Sequence, residues 1–163
     1  MIACVYAAPG WGTGALLVDA GRVVDHEEPA PDARPAARAG EDPAARALAE
    51  RLAAYYAGAA DDFADLDLEA AWDWHGVSED ERRLLRAVRS IPRGETASYA
   101  EVARMAGRPR SWRAAGAACA HGPLSVIVPY HRVIRADGGI GGYGALGGER
   151  KRRLLALEGA YAY

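Results

Sequence analysis

The chain has 163 residues, half of them apolar and 26% charged, enough to bury a core as one domain or two small ones. No apolar run approaches the roughly 18 residues a membrane span needs, so composition argues against disorder and membrane insertion and for a globular protein without a membrane partner. The formal net charge of −2 hides an asymmetry: residues 1–81 carry seventeen acids against five arginines, a balance of −12, and residues 82–163 carry fifteen bases against five acids, a balance of +10. A basic half of this size attracts a polyanion, although a solvated basic surface neutralised by the acidic half is the plain alternative.

Residues Met1 to Gly10 lack the basic stretch, apolar core and small-residue cleavage site of a secretory signal, so the expected address is cytoplasmic. Cys4 and Cys119 lie far apart without Cys-x-x-Cys spacing and read as free thiols. Cys4, His26 and His75 match no ligand spacing, so no metal is expected.

From Ile2 to Asp25, short apolar runs separated by Pro9-Gly10, Gly12-Thr13-Gly14 and Ala20-Gly21 predict two or three strands. The proline- and glycine-rich stretch between Glu27 and Asp42 reads as a mobile loop. Asp42-Pro43 then offers an N-cap with proline in the first turn, and Ala47, Leu48, Leu52, Tyr55 and Tyr56 recur at helical spacing until Gly58, a stripe that should cover the strands. Phe63, Leu66 and Leu68 alternate within the acidic stretch Asp61 to Trp74, which suits a late edge strand.

The second half opens at Ser78, where Ser-Glu-Asp-Glu forms a capping-box pattern before Leu84, Leu85 and Val88. That helix should stop at Ile91-Pro92-Arg93-Gly94. A second, from about Ser98 to Ala106, and a third, from about Arg110 to Ala120, flank the turn Gly107-Arg108-Pro109 and make a helix-turn-helix. Arg108, Arg110 and Arg113 favour DNA as its partner. The small residues Ala114 to Ala118 would let a backbone approach a groove closely, or another helix equally well.

After the apolar run Leu124 to Val128 comes Pro129-Tyr130-His131-Arg132-Val133-Ile134. Together with Ile-Pro-x-Gly-Glu-Thr from Ile91, Ser98-Tyr99, the helix pair, Gly-Gly-Tyr-Gly ending at Gly144 and Leu-Leu-x-x-Glu-Gly ending at Gly159, this string resembles the O6-alkylguanine-DNA alkyltransferase family. The resemblance implies an α/β (α+β) protein with residues 1–77 as an acidic N-terminal domain of ribonuclease-H-like architecture. Residues 78–163 would be a mostly helical, winged helix-turn-helix-like DNA-binding domain.

In such proteins the cysteine of Pro-Cys-His-Arg takes an alkyl group from guanine O6 in one irreversible step without a cofactor. The partner implied is double-stranded DNA containing O6-alkylguanine, and the chain would act as a monomer. Tyr99 matches the residue that presses on the 3′ phosphate as the base rotates out, next to Ser98, and Arg113 matches the one that enters the stack in its place. His131 and Glu158 match the pair that takes the thiol proton, and Tyr143 and Gly144 match the lid over the base. For Tyr99, helix-start packing on the core is the plain alternative; for His131 and Glu158, a buried structural hydrogen bond.

This chain departs from the pattern at the acceptor itself. Tyr130 stands at the cysteine position, and a phenol of pKa about 10 is a poor replacement for a thiol of pKa about 8.5. Gly122 stands where an asparagine is usual, Trp112 where a small residue is common, and the lid carries one extra residue within Ala145 to Gly148. Trp112, Gly116 and Cys119 share a helical face at i, i+4 and i+7, turned away from Arg113. The resemblance puts Cys119, near the end of the recognition helix, at a position that borders the alkyl pocket, and the helical period allows it to face there; it is the expected relocated acceptor, with a small buried hydrophobe as its plain alternative.

A non-catalytic lesion sensor that recruits other repair factors is the competing expectation, since an aromatic residue at 130 suits one. A sequence-reading helix-turn-helix regulator is a third, but it leaves Tyr130-His131-Arg132 unexplained and lacks polar side chains for base edges.

Overall fold

The computed structural model describes residues 1–161 and divides into two compact units. Met1–Gly76 together with Pro123–Ser125 form the first; Val77–Gly122 and the chain from Val126 onward form the second. Ala162 and Tyr163, the last residues of the expected second domain, lie outside the described residues. Strand and helix are mixed, as the α/β expectation requires.

In the first unit β1 (Ile2–Ala8), β2 (Gly12–Asp19) and β3 (Arg22–Ala30) form an antiparallel meander. Helix α1 (Pro43–Tyr56) packs on β1 and β2, its Asp42 cap accepting from the Ala45 amide at 3.0 Å. It buries Leu48, Leu52, Tyr55 and Tyr56 as expected, but Ala45 and Ala49 rather than Ala47.

Two expectations are corrected. The stretch after Glu27 is not simply a loop: β3 runs on to Ala30, and residues 38–40 pair with β1 through Ala3 N–H to Arg38 O at 2.8 Å and Gly40 N–H to Ala3 O at 3.0 Å. No strand forms over Asp61 to Trp74. There the carboxylates of Asp61, Asp62 and Asp67 accept from the amides of Phe63, Ala64 and Glu69, two residues on, and Phe63 turns to φ 53°. These local bonds curl the backbone against a ladder, and the segment ends in α2 (Glu69–Trp74).

The segment 123–125 is fastened to this unit. The Leu124 amide donates to Asp25 Oδ1 at 3.0 Å, the Ser125 hydroxyl donates to Glu28 Oε2 at 2.9 Å, and His26 Nδ1 lies 2.7 Å from the Ser125 carbonyl. Burial lowers the pKa of His26, so its neutral ring donates from Nδ1 and accepts from the Tyr6 hydroxyl at 2.6 Å.

In the second unit α3 (Glu79–Arg89) begins at Ser78, whose hydroxyl accepts from the Glu81 amide at 3.2 Å, and buries Leu84, Leu85 and Val88. It packs on both members of the helix-turn-helix, α4 (Tyr99–Met105) and α5 (Trp112–His121). A complete capping box stands at Ser98 and Glu101, a signal the sequence reading passed over. Two short parallel strands, β4 (Ala97–Ser98) and β5 (Val133–Ile134), and a C-terminal helix, α6 (Gly147–Leu157), complete the unit. Among the described residues no helix is long and apolar enough to cross a membrane.

Ser98→Ala removes a formed cap and is expected to cost about 1 kcal/mol of stability. Ser111, at the start of α5, makes no capping bond, so Ser111→Ala should cost less than half as much; urea midpoints of the two variants compare them.

Candidate functional site

Backbone pairing assembles the site. Ala97 and Ser98 of β4 pair with Val133 and Ile134 of β5, so the start of α4 lies beside the chain leaving the 3-10 turn Tyr130–Arg132. Tyr99 follows β4 directly, and Tyr130-His131-Arg132 directly precedes β5. The helix-turn-helix and the motif are thereby held together by two residue pairs.

Beneath the turn lies a buried ion cluster. Arg132 donates from Nε to Glu158 Oε1 and from Nη2 to Glu158 Oε2, both at 2.8 Å, and from Nη1 to the Ile91 carbonyl at 2.7 Å. His131 Nε2 lies 2.9 Å from Glu158 Oε2, and its Nδ1 is buried without a hydrogen-bond partner among the described residues. Burial alone would push the Glu158 carboxyl up, but the Arg132 hydrogen bonds and then His131 outweigh it and hold it well below the usual carboxylate range. The expected His131–Glu158 pair is present. Arg132, read only as part of the motif, is the stronger partner of the carboxylate.

Above the turn, Tyr99, Gly116, Cys119, Ala120, Tyr130 and the loop residues Gly142, Tyr143 and Gly144 enclose a cavity of about 210 Å³. Five of the expected site residues beyond Tyr130 therefore converge: Tyr99, Gly116, Cys119, Tyr143 and Gly144. Tyr143 is buried and stands edge-on to His131, ring centroids 6.5 Å apart.

Tyr130 is itself buried, and its ring explains the glycine at 122. A Cβ built on Gly122 would overlap the Tyr130 hydroxyl oxygen and Cζ and approach the Ala118 carbonyl to 2.7 Å. Gly122 has an ordinary φ of −66°, so what it supplies is space rather than backbone freedom. The two departures noted separately in the sequence are one packing solution.

Cys119 reaches the cavity near the end of α5. Burial pushes its thiol up to about 12, against the opposing pull of the Lys151 charge. Lys151, on α6, was not singled out from the sequence. It is 1% exposed, donates from Nζ to the Gly142 carbonyl at 3.2 Å and lies 5.8 Å above the Tyr99 ring.

The remaining candidates do not line the cavity. Arg113 is exposed, its guanidinium 5.0 Å from the ring of Trp112, which is 51% exposed and does not line the cavity. Arg110 is exposed. Arg108 pairs with Asp80 and, at 3.4 Å, with the Ser111 hydroxyl, so its charge is partly committed within the unit. Ser98 is engaged as the cap of α4. Among the described residues no group of three or more His, Cys, Asp or Glu side chains is placed to hold a metal ion.

Residues 79–160 match the family model described as 6-O-methylguanine DNA methyltransferase, DNA binding domain. A methylated-DNA–protein-cysteine methyltransferase of Mycobacterium leprae is 40% identical over 151 residues, 90% of this chain and 82% of its own length. The chain belongs to the 6-O-methylguanine DNA methyltransferase family. A relative of the same name from Mycolicibacterium paratuberculosis is 49% identical over 119 residues, 72% of this chain and 68% of that protein. Among solved structures, Mycobacterium tuberculosis OGT in complex with DNA aligns with a TM-score of 0.76 at 32% identity, covering 98% of this chain and 94% of that one. That similarity covers both units, the acidic first half included.

Two outcomes follow from this geometry. Because the folded Glu158 carboxyl binds its proton more weakly than an unfolded one of pKa about 4.3, its contribution to stability is complete above that value and is lost as pH falls below it. Unfolding free energies from urea titration of the wild type and Glu158→Gln should therefore differ by about 3–5 kcal/mol near neutrality and converge on acidification. Gly122→Ala should destabilise the wild type by about 1–3 kcal/mol and cost less, though not nothing, in a Tyr130→Cys background, where the approach to the Ala118 carbonyl remains. A double-mutant cycle giving no coupling would show that the ring can move aside.

Proposed function

We propose that this chain binds duplex DNA, turns an O6-alkylated guanine out of the stack and takes the alkyl group irreversibly onto Cys119. One observation carries the reading: the Cys119 thiol lines the same cavity as Tyr99, Tyr143 and Gly144, while Tyr130 fills the position of the usual acceptor. The expected domains, residues 1–77 and 78–163, would act as an acidic α/β part and a basic DNA-binding alkyltransferase part, in the cytoplasm.

Tyr99 stands at the start of α4, where its phenol borders the cavity and suits a lever on the phosphate. Exposed Arg113, its guanidinium near the Trp112 ring, is free to enter the stack, since planar cations stack on bases as on aromatic rings. Trp112 and Arg110 would face the duplex with it, and Gly116 leaves room for the extruded base. A cavity of about 210 Å³ is smaller than the roughly 300–1,000 Å³ of drug-sized sites, which favours a small alkyl group. DNA as partner is supported by the DNA complex of the tuberculosis relative, and O6-methylguanine by the family description.

The second reading, a lesion sensor that binds without transfer and recruits other repair factors, is favoured by the same buried Tyr130 and by the raised pKa of the Cys119 thiol. Intact-protein mass after incubation with duplex DNA containing O6-methylguanine separates the two. Transfer is expected to replace one hydrogen by one methyl, mapped to the Cys119 peptide and absent in Cys119→Ser. Selective binding without any mass gain would assign the sensor role.

A further inference from the structure

Of the four tryptophans, Trp11 and Trp72 are buried, and Trp74 and Trp112 are left about half in water, at 49% and 51% exposure. The two exposed rings have opposite electrostatic surroundings. Trp74 closes a stretch from Asp61 that carries six acids, and its ring stands edge-on to His75 at 4.8 Å. Around Trp112 no acid occurs in the sequence between Glu101 and Asp137, a run that holds Arg104, Arg108, Arg110 and Arg113. A polyanion repelled by the first setting is attracted to the second.

Trp112 is the first residue of α5, and its ring is taken up neither by the core nor by the cavity wall. Its one ring contact is with Arg113, whose Cζ lies 5.0 Å from the centroid, inside the roughly 6 Å range of a cation–π contact. Among the described residues Arg113 has no carboxylate partner.

An indole carries no charge and a single N–H donor, so it adds little to a phosphate contact. What it offers DNA is a flat apolar face for a base. In a continuous duplex every base face is covered by its neighbours, whereas extrusion of one base bares the faces on either side of the gap. An indole adjacent in sequence to the arginine that enters the gap is placed to cover one of them.

We propose that Trp112 is a nucleobase-stacking residue that recognises the gap left by an extruded base. Its indole holds the Arg113 guanidinium in the free protein and stacks on a bared base face when that guanidinium leaves it. The inference rests on base extrusion as proposed above, but not on transfer to Cys119. Arg113 brings a charge to the phosphates of any duplex, and its attraction is therefore salt-dependent. The indole gains only where a face is bare, so Trp112 supplies the discrimination between a gapped and a continuous stack.

The test uses the full chain and three duplexes of one sequence: undamaged, containing O6-methylguanine, and containing an abasic site, in which the gap exists without extrusion. Affinities of the wild type, Trp112→Ala, Trp112→Phe and Arg113→Ala are compared across salt, with thermal midpoints recorded to confirm folding. Trp112→Ala should weaken binding to the abasic and O6-methylguanine duplexes roughly tenfold more than to the undamaged one. It should leave the slope of log affinity against log salt unchanged, whereas Arg113→Ala should reduce that slope by about one on the undamaged duplex. Trp112→Phe keeps a flat ring and should recover most of the loss. Trp112 emission, taken as the difference between wild type and Trp112→Phe, should be quenched by the two damaged duplexes and not by the undamaged one.

Equal losses on all three duplexes, or Trp112 emission unquenched by the abasic duplex, would overturn the proposal. So would a Trp112→Ala change without effect in an Arg113→Ala background, since the indole would then serve only as a rest for the guanidinium. If the abasic duplex quenches Trp112 and the O6-methylguanine duplex does not, the stacking role stands and base extrusion by this chain is wrong.

Discussion

Glu158 is a carboxylate taken out of water and held by Arg132 on two oxygens and by His131 on one, and the position of the 3-10 turn that carries Tyr130 depends on that arrangement. Arg132 also binds the Ile91 carbonyl just beyond α3, so one guanidinium fastens the end of α3, the 3-10 turn and the residue that caps α6. A buried ion pair of this kind contributes little net stability over a packed apolar cluster. Losing one member, however, leaves an uncompensated charge, which gives the arrangement its geometric strictness. Tyr130 is the residue whose placement it enforces, through two adjacent backbone positions that cannot shift without breaking the cluster.

Much of this was legible in the amino-acid sequence because it is local. Asp42 and Ser78 announce their helices by short-range capping, and the glycine turn at Gly107 separates two helices whose ends fall within two residues of expectation. Phe63, Leu66 and Leu68 misled because alternation was weighed without the three aspartates beside them, whose side chains compete for the backbone amides. The pairing of residues 38–40 with β1 escaped notice because it joins segments about 35 positions apart through backbone groups alone, which carry no compositional mark.

At the site, the residues of the Pro-x-His-Arg string were found by pattern, and Cys119 by the place of its position in the resembling family's recognition helix. Lys151 was hidden because it sits among arginines in Glu-Arg-Lys-Arg-Arg, a string that reads as a solvated helix face. Only the packing of α6 sets the buried Lys151 apart from the exposed Arg152 and Arg153 that follow it. The role of Arg132 was likewise invisible in a linear motif, since its partner lies 26 residues away.

The overlap between a side chain at 122 and the ring at 130 also bears on history. A chain of this family with asparagine at the first position and cysteine at the second cannot accept the tyrosine first without expelling its ring from the core. The glycine must come first, or arrive together with the tyrosine. In this packing a tyrosine at 130 therefore requires a glycine at 122, present before it or acquired with it, and the two positions constrain each other's changes.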